Sequence, residues 1–148
     1  FHYDGEHFHI EQAQFLPTPI QQPRIPVWVG GDWPNKRPFR RMARWDGMFP
    51  LFSVPGPERE SAFAEAVSYV LEERQRLGLN QLFDVIKMGM TPADDPVEAA
   101  ARLNTAAEAG ATWWLELLMP EVYGFSPADP HAHAALRDRV LQGPPPAG

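Results

Sequence analysis

Arg24-Ile25-Pro26-Val27-Trp28-Val29-Gly30-Gly31-Asp32 is the stretch whose reading decides the fold. Its apolar part, Ile25 to Val29, is nearly continuous, as expected of a core strand covered on both faces. It stops at two glycines, and a basic segment with helical spacing, Lys36 to Arg44, follows. Strand, Gly-Gly turn and helix start together form one way to hold a phosphate. Glycines let backbone N–H groups approach an anion, and a helix N-terminus adds partial positive charge. The same glycines also suit a plain tight turn, and the residues alone leave both readings open.

Downstream the rhythm repeats. Asn35 is placed to cap the first helix, with Pro38 in its first turn and Phe39, Met42 and Ala43 on its buried face. Asp46 to Phe52 reads as a second strand, which Pro50 shortens or ends. Gly56-Pro57 opens the longest helix, striped by Phe63, Ala66, Val67, Val70 and Leu71 and stopped by Gly78. Leu82 to Gly89 is the third strand. Asp95-Pro96-Val97-Glu98 starts a helix with a cap, a first-turn proline and a glutamate able to reach back. Val97, Ala100, Ala101, Leu103 and Ala107 form its apolar side, and Gly110 ends it. Thr112 to Leu118 is the fourth strand. Asp129-Pro130 opens a last helix to about Leu141, with Ala132, Ala135, Leu136 and Val140 inward.

Upstream, residues 1–24 read as an extended segment. Phe8 and Ile10 alternate with His7 and His9, and Pro17, Pro19 and Pro23 exclude a helix. Residues 142–148, rich in proline and glycine, read as a disordered tail. Residues 25–141 therefore hold four strand–helix units. Alternation of this kind gives α/β architecture with a parallel sheet, and four units are half of a TIM-type (β/α)8 barrel. An open four-stranded sheet is the rival.

Composition narrows the function. With 44% hydrophobic residues the chain can build a core. A net charge of −6 argues against a nucleic-acid partner. No apolar run approaches the roughly 18 residues a membrane span needs. Absence of cysteine excludes disulfides and thiolate metal sites and fits a cytoplasmic setting. The start at Phe1-His2-Tyr3, without methionine, suggests a piece of something longer.

Four segments in order carry a resemblance. They are Tyr3-Asp4-Gly5-Glu6-His7-Phe8, Gln22-Pro23-Arg24-Ile25-Pro26-Val27-Trp28-Val29-Gly30-Gly31, Arg41-Met42-Ala43-Arg44-Trp45-Asp46-Gly47 and Gly110-Ala111-Thr112-Trp113-Trp114-Leu115-Glu116. Together they resemble the C-terminal half of the luciferase-like, flavin-dependent oxidoreductases, over residues 1 to about 141. The resemblance implies a barrel that binds FMN or a deazaflavin at the C-terminal strand ends and catalyses monooxygenation or hydride transfer on a small organic substrate. It implies cofactor phosphate binding at Gly30 and Gly31, beside Asp32, with Phe49 close by. Family members are about twice this length, so catalysis is expected of the complete barrel. Any catalytic acid or base is expected in the absent N-terminal half.

Other residues admit two readings each. Lys36, Arg37, Arg40, Arg41 and Arg44 form a solvated helix face, or an anion site at Lys36 and Arg37. His2, His7 and His9 suggest a metal pair, but no carboxylate completes it, so exposed histidines are expected. Trp113 and Trp114 must point to opposite faces of one strand. Bulky core packing is the plain reading of both; in the other, Trp114 lines the barrel interior with Glu116, which is either ion-paired or aimed at the mouth to orient substrate or cofactor. Lys87, inside a strand, is expected to pair with an acid. Asp46 and Asp84, at strand beginnings, read as structural. Gly30-Gly31-Asp32 lacks the third glycine and downstream acid of a dinucleotide fingerprint.

Two functions from different classes follow. One is a flavin-dependent enzyme half. The other is a non-catalytic half-barrel whose open edges drive self-association, two copies standing in for one barrel.

Overall fold

The computed structural model describes residues 1–53, 56–126 and 128–144. Two short strands, β1 (Tyr3–Asp4) and β2 (His9–Ile10), pair antiparallel near the N-terminus. Then come β3 (Trp28–Trp33), α1 (Lys36–Met42), β4 (Gly47–Phe52), α2 (Pro57–Arg76), β5 (Asp84–Gly89), α3 (Pro96–Glu108), β6 (Trp113–Glu116), a 3-10 turn (Pro120–Tyr123) and α4 (Pro130–Gln142). Strands β3 to β6 form one parallel sheet in chain order, with a helix in every crossover.

The caps form where local chemistry places them. The side chains of Asn35, Asp95 and Asp129 accept from the backbone N–H groups of Arg37 (3.2 Å), Glu98 (2.9 Å) and His131 (2.8 Å). Gly78 follows α2 at φ 69°, and the Leu79 N–H returns to the Arg74 carbonyl at 3.0 Å, closing the helix. Glu98 does not complete a capping box. Its carboxylate accepts from Arg102 one turn on, at 2.9 Å.

Most of the core lies on one face of the sheet; Ile86 is the fully buried residue of the other. Val29, Met48 and Val85 sit side by side in register and meet Phe39, Met42 and Ala43 of the α1 segment and Phe63, Ala66, Val67 and Val70 of α2. The stripe of α2 matches its sequence pattern except Leu71, which is exposed. On α3 the buried residues are Ala99 and Ala106, while Val97 is 79% exposed. On α4, Ala132 and Arg139 are buried and Val140 is exposed. Stripes made mostly of alanine tie burial weakly to periodicity, so neighbours rather than pattern set the angle of these two helices.

The first core strand begins later than its apolar run. Ile25 and Val27 stay largely exposed, and β3 extends through Gly30, Gly31 and Asp32. Pro26 has no N–H for a ladder, and the Val27 N–H goes to the Asp46 carboxylate at 2.6 Å. Asp46 also takes both ends of the Arg24 guanidinium, the Nη2 contact at 3.1 Å. Those bonds, the guanidinium first and the Val27 amide next, hold the Asp46 carboxyl below the usual carboxylate range.

Arg74 is the other tie. It is 5% exposed, and it donates to the carbonyls of Ala43 (3.0 Å), Trp45 (3.3 Å) and Gln81 (2.8 Å). Burial pushes its guanidinium pKa down, with Asp46 opposing. One side chain of α2 thus fixes the ends of two loops.

Pro50 does not end β4, which pairs with β3 as far as Phe52. It ends the pairing of β4 with β5. That ladder starts with the Asp84 N–H on the Asp46 carbonyl at 2.9 Å and stops at Met48 opposite Val85. Pro50 faces the same side as Met48, and it has no N–H to continue. Beyond Met48 no β4–β5 pairing continues. Of the tail expected at 142–148, Gln142 belongs to α4, and residues 145–148 lie outside the described residues.

Candidate functional site

Two places on this sheet carry chemistry. The first is the face turned away from α1 and α2. Register and alternation put Trp28, Gly30 and Asp32 of β3, Phe49 and Leu51 of β4, Asp84, Ile86 and Met88 of β5, and Trp113 and Leu115 of β6 on it. Most of these side chains are half-buried, Ile86 is fully buried, and Trp113 is 49% exposed. Parallel sheets are ordinarily covered on both faces, so this apolar, aromatic face is unusual.

Gly30, Asp32 and Phe49 come together there. Gly30 is directly opposite Phe49, and a Cβ built on Gly30 would meet only the Phe49 carbonyl, at 3.7 Å. Gly31 is placed differently. A Cβ there would lie 2.5 Å from Pro38 Cβ and 3.2 Å from Met42 Cε, so Gly31 lets α1 settle on β3 from the core side. Neither glycine forms a turn after a strand, since both lie inside β3.

Asp84 organises the base of this face. Its two carboxylate oxygens accept from the indole N–H of Trp28 (2.8 Å) and of Trp113 (3.0 Å), and the two rings meet at 5.5 Å with a 56° tilt. Asp84 is at a strand beginning, and it does positioning work there.

The second place is a cleft of about 710 Å3 on the helix side, past the end of the β4–β5 ladder. Trp114 lines it with Phe52, Phe63 and Lys87. Lys87, 9% exposed, pairs with Glu60 of α2, and its ammonium lies 4.4 Å from the centroid of the Phe63 ring. A buried ammonium needs such partners.

Trp113 and Trp114 do point to opposite faces, but the sides are reversed from expectation. Trp113 takes the bare face, and Trp114 and Glu116 take the face that α2 covers. Alternation fixes only that they differ; which face receives helices is a property of the whole sheet. Glu116 is fully engaged. It accepts from the Thr91 N–H (2.7 Å) and hydroxyl (3.0 Å) and from Trp114 Nε1 (2.8 Å), and Arg139 stands 3.6 Å away. Arg139 also donates to the Thr91 hydroxyl at 2.6 Å. The network ties β6, the segment after β5 and α4 together. Thr91 and Arg139 gave no sequence signal, because neither belongs to a motif with the other.

Of the basic cluster, Lys36 lies over the rings of Trp33 (3.5 Å) and Tyr69 (4.2 Å), and Arg40 donates to the Tyr69 hydroxyl. That bond raises the Arg40 guanidinium pKa above its ordinary value. Among the N-terminal histidines, His9 pairs with Asp4 and His2 approaches the Glu11 carbonyl. Among the described residues no three His, Asp or Glu side chains are grouped to hold a metal, and no helix is long and apolar enough to cross a membrane. No protein-family model matches the chain, and no curated protein matches it in sequence.

Proposed function

We propose that this chain is one half of a (β/α)8-type, flavin-dependent oxidoreductase, and that its bare sheet face is the inner wall of the complete barrel. The observation that carries the reading is the one-sided sheet. Four parallel strands in chain order, cored by α1 and α2 on one face only, leave the opposite face aromatic and open. A barrel has helices outside and strand side chains inside, which is this division. Sequence resemblance points to the same class.

Gly30, Asp32 and Phe49 are compatible with FMN or a deazaflavin at that face, because the open space over Gly30 would admit a flat ring beside Phe49. Gly31, under Pro38, belongs to packing in this reading. A bound flavin would supply hydride transfer or oxygen insertion. This half would shape and shield the wall, with Asp84 holding Trp28 and Trp113.

The test is titration of the purified chain, alone and with a supplied N-terminal half, with FMN and with a deazaflavin. Binding that Gly30→Val abolishes while the circular dichroism spectrum is kept supports the reading. Absence of binding by both folded preparations ends it.

The same face favours a second reading, in which two copies cover each other's exposed aromatic surface without catalysis. Light scattering separates the two. A dimer that Trp113→Glu dissociates, and that binds no flavin, selects the assembly module.

A further inference from the structure

The cleft between α2 and α3 has no part in the proposal above, and it lies on the other side of the sheet from Gly30 and Asp32. We infer that it binds a small organic carboxylate with an apolar body. Its volume, about 710 Å3, is within the range of small-molecule sites. Phe52, Phe63 and the Trp114 indole give it apolar walls.

Its charges select the ligand's sign. Three cations, Arg59, Lys87 and Arg102, and two carboxylates, Glu60 and Glu98, line it. This local excess of cations stands out on a chain of net charge −6. Glu98 is held by Arg102, which also donates to the Met90 carbonyl at 3.1 Å. Glu60 is held by Lys87, and the two differ in depth: the lysine side chain is 10% exposed, the glutamate 53%. The cation is inside and the carboxylate at the rim. Arg59, half-buried, makes no ion pair among the described residues. A ligand carboxylate therefore finds the Arg59 fork, suited to bidentate pairing, with the Lys87 charge behind it. A cationic ligand would meet net repulsion, and a neutral one would leave Arg59 without a counter-charge.

The origin of the cleft supports its being a built feature. Pro50, past which the β4–β5 ladder does not continue, lines it, and the strand residue there is the buried Lys87 instead of an apolar side chain.

Isothermal titration of the full chain with phenylbutyrate, and with its neutral amide phenylbutyramide, tests the inference. Saturable binding of the acid is expected, with the amide weaker by about tenfold or more. Arg59→Met should weaken the acid by a similar factor while melting is unchanged. Gly30→Val, on the opposite face, should bind the acid as the parent does, which separates this site from the flavin reading. Lys87→Met should also weaken the acid; if it fails to fold, Arg59→Met decides. No saturable binding into the millimolar range, equal affinity for acid and amide, or an Arg59→Met variant that binds normally would each overturn the inference. So would loss of acid binding in Gly30→Val.

Discussion

The indole of Trp28 reaches over β4 to donate a 2.8 Å hydrogen bond to Asp84. Gly47, in register between them, makes the span possible. A Cβ on Gly47 would lie 2.6 Å from Trp28 Cδ1 and 2.8 Å from the Asp84 carbonyl oxygen. The ring could turn aside; the carbonyl is fixed in the sheet.

Gly47→Ala should therefore destabilise the fold by about 2 kcal/mol, as overpacking does. It should also loosen the Trp28–Trp113 contact. Urea unfolding gives the first, and the near-ultraviolet dichroism of the tryptophans the second. A variant with parental stability would show that the strand spacing relaxes freely.

Adjacent glycines should behave in opposite ways. Gly31→Ala places a methyl against Pro38 and should cost about 2 kcal/mol by lifting α1 from β3. Gly30→Ala meets open space and should stay within about 0.5 kcal/mol of the parent. Equal losses at both positions would contradict the assignment of the two faces.

Arg74→Met keeps an apolar stem but removes the guanidinium that lies over the Phe83 ring and donates to three carbonyls. A loss of about 3 kcal/mol is expected, since a buried group left without its partner bears the full desolvation cost. Arg76→Met, which breaks only an exposed pair with Glu73, should change stability by less than about 0.5 kcal/mol. Thermal melts of the two variants side by side test the contrast.

Asp46 predicts an acid limb. Its pKa in the folded chain is below its ordinary value of 3.8, so the folded state favours the ionised form. That contribution is fully present above the unfolded pKa and is lost as pH falls through the folded pKa. Asp46→Asn should be less stable than the parent at neutral pH, and the gap should close as pH drops below 3.8. The carboxylate is one-third exposed, so solvent screens part of the effect. Denaturation midpoints measured down the acid limb provide the check, and a gap that stays constant with pH would exclude Asp46 as the titrating group.

Local chemistry was legible in the sequence. Asn35, Asp95 and Asp129 announce helix starts because a cap needs only its own next two or three residues. The four strand–helix units follow from the same short-range signals. The stripes of α3 and α4 were not legible, because alanine says little about direction. Arg139 reads as a surface residue until Glu116 and Thr91, distant in the chain, are brought to it.

By itself the sequence determined the alternation of elements, hence a parallel sheet, and the opposite facing of Trp113 and Trp114. Both are set by bonds and torsions that span a few residues. Only the tertiary structure decided which sheet face the helices cover, and with it that Gly30, Asp32 and Phe49 share the open side while Trp114, Lys87 and Glu116 share the other. It also set Pro50, which has no N–H, at the end of the β4–β5 ladder and in the wall of a cleft. Whether that absence matters depends on which strand lies beside it, and no local pattern encodes a neighbour more than thirty residues away.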